Sequence, residues 1–215
     1  MSIASHVRLW LILFLFSLTL NPFLRRGDSM IEFVENEVQI TRAALGDNWT
    51  NAILKQANVL FNESPVQMAV KVAEKGVYSK EQQDKYKLFT SETGSGGALF
   101  KMMNGIFTGF IQSLYIVCLR LLIVLSWFAL LVPIMFAAVY DGYTQRVIKS
   151  YNFGSIRPAT FSLMLWVVMP MMFVPLFYLS APFNINPTVV PIWVCLALLP
   201  TSILIANSQP VFGQR

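Results

Sequence analysis

Apolar residues in this chain fall in long runs, and one charge-free run sets the pattern for the rest. Residues 121–140 (LLIVLSWFALLVPIMFAAVY) carry no charged side chain. A helix rises about 1.5 Å per residue, so such a run covers roughly 30 Å, the hydrocarbon thickness of a bilayer. Asp141-Gly142 follows, then a connector (residues 142–160) with Arg146, Lys149 and Arg157, and a second apolar run from Phe161. A charge-free span, a basic connector and a returning span predict a transmembrane hairpin. Gly142 is expected to take the left-handed conformation that ends a helix, with Asp141 pairing to Arg146 across the turn.

The remaining runs extend this picture. Residues 7–24 (VRLWLILFLFSLTLNPFL) are apolar behind Arg8 and ahead of Arg25-Arg26. A secretory signal peptide is the competing reading, but a cleavage site needs small residues where Asn21-Pro22-Phe23-Leu24 stands, so an uncleaved anchor is expected. Residues 161–179 hold Pro170 and Pro175, and residues 189–206 hold Pro191 and Pro200. Pro133, Pro170, Pro175 and Pro200 are candidate kinks, and the two within six residues, Pro170 and Pro175, predict a kink or a local break. Residues 98–119 are apolar on one helical face (Leu99, Met102, Met103, Ile106, Phe110), which suggests an interfacial or protruding helix leading into the span at 121. Arg120 marks that joint. It has two readings: a side chain that snorkels to the headgroups at the outer boundary, favoured here, or an intramembrane charge with a partner.

Residues 27–97 are the substantial hydrophilic stretch. Ile31, Val34, Val38 and residues 40–44 recur at helical spacing, and Gly46 can end that helix. Trp49, Ile53, Leu54, Ala57, Leu60 and Phe61 repeat the pattern. Weaker helical signals cover 66–77 and 79–89, and 90–97 (TSETGSGG) reads as a flexible linker. About 70 residues make a small core, so the module is expected to pack on its own membrane helices or on a partner. The fold class is therefore an all-α membrane protein of about four transmembrane helices with a small helical extracytoplasmic module. Its parts are an N-terminal anchor (1–26), a periplasmic module with linker (27–97), and an interfacial helix plus three spans (98–215).

Composition sharpens this. Hydrophobic residues are 55% of the chain and charged ones 13%, about half the charged share of a globular protein. The net charge of +5 does not point to nucleic acid. Residues 25–101 are electrically balanced, and the surplus lies in Arg8, Arg120, Arg146, Lys149, Arg157 and Arg215, which flank or sit in the spans. The connector is basic while the 180–188 turn is uncharged, so the positive-inside rule places the connector, and with four spans both termini, in the cytoplasm of a bacterial inner membrane. Residues 27–97 then lie in the periplasm. Arg25-Arg26 stand against that rule.

Candidate chemistry is sparse. The single histidine, His6, lies in the N-terminal stretch, so no His-based metal site or triad is expected. Cys118 and Cys195 belong to apolar stretches. The glycines of 90–97 have no following Gly-Lys-Ser/Thr, which argues against a phosphate loop. No enzyme activity and no cofactor are expected.

Tyr140-Asp141-Gly142, Arg146, Phe153-Gly154, the 184–187 turn and Pro191 resemble a family of integral membrane proteins of bacterial integrating conjugative elements. The resemblance covers about residues 120–210. This chain has Ser155-Ile156-Arg157-Pro158 where that family shows an arginine-glutamate-serine run. The resemblance implies a role in conjugative DNA transfer beside the coupling ATPase that feeds DNA to a type IV secretion channel. On that basis the expected function is an accessory inner-membrane subunit that binds the coupling ATPase or other secretion-system membrane subunits. Its connector residues Asp141, Gly142, Arg146, Lys149 and Arg157 would touch a partner or anionic lipid. Self-association in the lipid bilayer is compatible with these spans, and no direct nucleic-acid binding is expected. An exclusion or surface-interaction protein acting in the recipient through residues 27–97 is a second class, and a small transporter or channel a third. A reporter fused at position 150 is expected to be active only in its cytoplasmic form, and one fused at position 60 only in its periplasmic form.

Overall fold

The computed structural model describes residues 3–25, 28–63, 66–68, 70–71, 96–151 and 157–208, and among them regular structure is entirely α-helical. The helices are α1 (Ile3–Leu24), α2 (Asp28–Leu45), α3 (Asp47–Phe61), α4 (Gly96–Tyr151), α5 (Pro158–Ser180) and α6 (Val189–Ala206). Four segments are long and apolar enough to cross a membrane: Val7–Leu24, Met102–Tyr151, Pro158–Ser180 and Val189–Ala206. Their outer faces expose large side chains, with Phe136 at 72% and Leu199 at 67%. Water would penalise such surfaces heavily, whereas lipid does not, so the chain is built as a membrane protein.

Two expectations about helix ends need correcting. The helix does not stop at Asp141-Gly142. It runs on to Tyr151, held locally by Thr144 Oγ1 donating to Tyr140 O (2.9 Å) and Gln145 Nε2 donating to Asp141 Oδ2 (2.8 Å). Among the described residues only Gly46 has a left-handed φ. Of the kink or local break expected at the prolines, the local break does not occur. Pro133, Pro170, Pro175 and Pro200 all lie inside continuous helices. Each proline removes one ladder bond, and the bonds on either side persist.

The chain forms two compact units, one of Met1–Ile123 with Leu176–Pro187 and one of Val124–Pro175 with Thr188–Arg215. In the first, α2 and α3 make a helical hairpin whose corner is Gly46 at φ +80°. The Gly46 N–H donates to Arg42 O (2.9 Å) and ends α2, and Gly46 O accepts Thr50 N–H (3.1 Å) and Thr50 Oγ1 (2.8 Å) to open α3. This corner is the one expected from the sequence. The buried faces are not quite those expected. On α2 they are Met30, Phe33, Glu37 and Thr41, while Ile31 is exposed; on α3 they are Thr50, Ile53 and Ala57, while Trp49 is exposed. The α2 face is turned by about one residue, roughly 100° of helix, from the aliphatic stripe.

The hairpin packs on the protein's own α4, as its small size suggested. Met30, Phe33 and Val34 close over Ile116. Phe61 meets Tyr115 edge to face at 5.5 Å, and Tyr115 Oη donates to Asn58 Oδ1 (3.0 Å). α1 joins this unit where Trp10 meets Phe177 at 5.5 Å. Near its end, a Cβ on Gly109 would stand 3.3 Å from both Pro22 Cβ and Arg25 O. Segments 79–89 and 90–95 lie outside the described residues, as does most of 66–77.

In the second unit α4 and α6 run side by side, with Phe128 and Trp193 rings 6.1 Å apart. Gly142 permits this approach: a Cβ there would lie 2.7 Å from Ser202 O and 3.0 Å from Ile205 Cβ. Its role is close packing, and the left-handed turn expected of it is absent. Gly142→Val should therefore destabilise the unit by about 1–3 kcal/mol through overpacking against backbone, read as a lower thermal unfolding midpoint in detergent.

Candidate functional site

The strongest chemical feature is the side chain of Arg120. The reading that it snorkels to headgroups is not what the structure shows. Arg120 and Glu37 are both fully buried and form an ion pair, Arg120 Nε to Glu37 Oε1 at 2.7 Å. A second donor closes the fork, Arg120 Nη2 to Glu37 Oε2 at 3.0 Å. The other donors go to backbone carbonyls at the end of α5 and the turn after it. Nη1 donates to Tyr178 O (2.9 Å) and Ala181 O (2.8 Å), and Nη2 to Phe183 O (2.7 Å). A guanidinium has five N–H groups in a rigid fork, and all five are used here.

The glutamate is equally well held. Asn184 Nδ2 donates to Glu37 Oε2 (2.8 Å) and to Phe33 O (3.0 Å). The guanidinium carbon lies 5.7 Å from the Phe33 ring centre and 5.5 Å from that of Tyr178, while Arg25 sits 3.9 Å over Phe33. One residue before the Ala181 carbonyl, Ser180 O accepts Ser17 Oγ (3.1 Å) and Asn21 Nδ2 (3.2 Å) from α1. The arginine cluster thus ties α2, α4 and the 178–184 turn together, and α1 docks beside it. With every guanidinium donor and both carboxylate oxygens engaged, the cluster offers no open donor to an incoming anion. Its chemistry is to hold helices in register.

Sequence reasoning singled out Arg120 but missed Glu37. A signal was present. Met30, Phe33, Glu37 and Thr41 fall at i, i+3, i+7 and i+11, so the carboxylate sits on a single helical stripe with two large apolar residues. An acid on such a stripe and an arginine between apolar runs are complementary charges that both need a partner. The contribution of Asn184 and the turn carbonyls has no comparable signature, because any residue supplies a carbonyl.

The connector residues are placed differently from one another. Asp141 Oδ2 accepts Gln145 Nε2 and Ser202 Oγ (2.9 Å), so the expected pairing of Asp141 with Arg146 is replaced by contacts to a neutral amide and a hydroxyl. Lys149 Nζ donates to Asn207 Oδ1 (3.0 Å) and Ala206 O (3.3 Å), a cation at the carbonyl end of α6 where the helix dipole favours it. Arg146 is half-buried, and Arg157 is exposed immediately before α5. Residues 152–156, including Phe153-Gly154, lie outside the described residues. Asp141 also lines a groove of about 450 Å³ between α4 and α6 with Ala137, Ala138, Cys195 and Ser202. Cys118 is buried and Cys195 exposed, both as free thiols. Among the described residues no three His, Cys, Asp or Glu side chains gather as a metal site.

Leaving either partner of the buried pair alone should cost about 3–5 kcal/mol, because the survivor stays as an uncompensated buried charge. Glu37→Gln and Arg120→Ala are expected to lower the unfolding midpoint in detergent together. Arg120→Lys should fail to restore it, since an ammonium cannot reproduce the planar fork.

Comparison with known proteins bears on the link to conjugation drawn from the sequence resemblance. The chain matches over residues 30–209 the family model described as IncC plasmid conjugative DNA transfer protein DtrJ-like. No curated protein and no solved structure matches it. The matched stretch contains Glu37, Arg120, Asn184, Asp141, Gly142 and Ser202, and extends well beyond the 120–210 region of the sequence resemblance. With the greater part of its length matched, the chain belongs to the DtrJ-like family of plasmid conjugative DNA transfer proteins.

Proposed function

We propose that this protein is an accessory inner-membrane subunit of a conjugative DNA-transfer (type IV secretion) apparatus, and that it binds the membrane segments of the coupling ATPase. It works as a scaffold without a cofactor or a reaction of its own. The observation that carries this reading is family membership in conjugative DNA transfer together with four helices apolar enough to span a membrane. Those helices leave broad apolar faces, such as the one bearing Val132, Phe136 and Val139, for helix-to-helix contact in lipid. The connector with Arg146 and Arg157 would meet the ATPase on the cytoplasmic side.

The proposed topology has both termini in the cytoplasm and residues 27–97 in the periplasm. The first unit supports it. The end of α1 at Asn21, the Arg120 end of the charge-free span and the 178–184 turn meet at one place, as a topology with all three on one face of the membrane requires.

Deleting the gene from the donor is expected to reduce conjugative transfer by orders of magnitude and to be rescued by the gene in trans. Detergent co-purification with the coupling ATPase should depend on the spans. Normal donor transfer combined with loss of exclusion in the recipient would replace this reading with one of a recipient surface protein.

A further inference from the structure

The second unit carries an acidic side chain at one end of an apolar groove. Its helices α4 and α6 run in the same direction, since contacts advance together along both. Phe128 meets Trp193, Gly142 approaches Ser202, and Lys149 reaches Asn207. Between them lies the groove of about 450 Å³. On α4 its lining residues are Ile134, Ala137, Ala138, Asp141 and Gln145, at i, i+3, i+4, i+7 and i+11 of one helical stripe. Eleven residues of helix make that stripe about 16 Å long.

The polarity of the groove is one-ended. Asp141, Gln145 and Ser202 gather toward the connector, and from there to Ile134 the lining is apolar. Short side chains from both helices, Ala137, Ala138 and Cys195, leave room for another backbone to come close. Residues 124–140 carry no charge, so Asp141 stands where hydrocarbon gives way to headgroups. Its side chain is exposed. Both of its hydrogen bonds fall on Oδ2, and both donors, Gln145 Nε2 and Ser202 Oγ, are neutral. Among the described residues no basic side chain pairs with it.

A carboxylate at that depth discriminates between occupants. The cytoplasmic leaflet carries anionic lipid, whose phosphates Asp141 repels, and a zwitterionic headgroup brings a phosphate along with its ammonium. A membrane helix supplies the complement by itself, because Lys and Arg gather at the cytoplasmic ends of spans. An aliphatic ridge on the same helix fills the apolar length of the groove.

We propose that the α4–α6 groove receives one transmembrane helix of the coupling ATPase, with a Lys or Arg at its cytoplasmic end paired to Asp141. This rests on the proposed binding to that ATPase and on a cytoplasmic connector, and it adds the surface and the contact. The test uses donor cells carrying the whole apparatus. The photoreactive residue p-benzoylphenylalanine replaces Leu199 or Ile134, in the groove, or Phe136, about 200° round α4 from Ile134 on the rival face. Irradiation should link both groove positions, but not position 136, to an ATPase membrane helix with Lys or Arg within a turn of its cytoplasmic end. Asp141→Asn keeps an acceptor for Gln145 and Ser202 while dropping the charge, and should lower the yield several-fold. Asp141→Lys should abolish it, and replacing the linked helix's Lys or Arg by Asp should restore it. Adducts from position 136 alone would overturn the groove and leave ATPase binding standing. Groove adducts to lipid or to a second copy alone, or a yield indifferent to Asp141→Asn, would do the same while the ATPase still co-purifies. If the ATPase neither co-purifies nor links from any position, the binding itself fails and the groove proposal with it.

Discussion

The buried pair of Arg120 and Glu37 is the constraint around which the first unit is arranged. Taking two ions out of water costs several kcal/mol each, and attraction between them offsets this only when the remaining donors and acceptors are also satisfied. That requirement dictates the surroundings. Three backbone carbonyls must turn toward the guanidinium, so the end of α5 and the turn after it cannot be placed anywhere else. Asn184 must reach the remaining lone pair of Glu37 and in doing so also takes Phe33 O. One charged side chain thus specifies the positions of three separate stretches of sequence.

The apolar spans could not provide that specificity. Lipid tails are as apolar as leucine, so the burial of aliphatic side chains gives little preference for one helix arrangement over another. Polar groups and small residues decide instead. In the first unit Gly109 lets α1 come close, and Ser17 and Asn21 converge on Ser180 O. In the second unit Gly142 admits the backbone of α6, and Asp141, Ser202 and Lys149 supply the polar contacts beside it. The same economy explains the prolines. Two missing ladder bonds, at Pro170 and Pro175, in a helix of 23 residues leave the rest of the ladder in place.

Much of the candidate site was half visible. Arg120 stands out in any reading of the chain because it separates two apolar runs, yet its fate depended on whether protein or headgroups lay within its reach. Glu37 was camouflaged among the acids of a balanced, polar stretch, and only its place on the Met30–Phe33–Thr41 stripe marked it. Gly142 was noticed for the wrong reason. Beside Asp141 it looked like a helix terminator, but helix propensity is a local matter and the contact that gave the glycine its use lies 60 residues away. The expected Asp141–Arg146 pair failed on geometry of a different kind: with the helix continuing, Gln145 at i+4 and Ser202 occupy the carboxylate oxygen that a turn would have aimed at Arg146.

Hydropathy and charge by themselves determined that this is a helical membrane protein, roughly where its spans lie, and that Gly46 separates two amphipathic helices. Those properties follow from solvent preference and backbone conformation, which are written residue by residue. Tertiary structure alone decided that Arg120 is interior, that Glu37 is its partner, that α4 continues past Asp141, and that α2 runs alongside α4. Each of these turns on which distant group arrives within 3 Å of a given atom, and a linear pattern of apolar and polar positions carries no such distance.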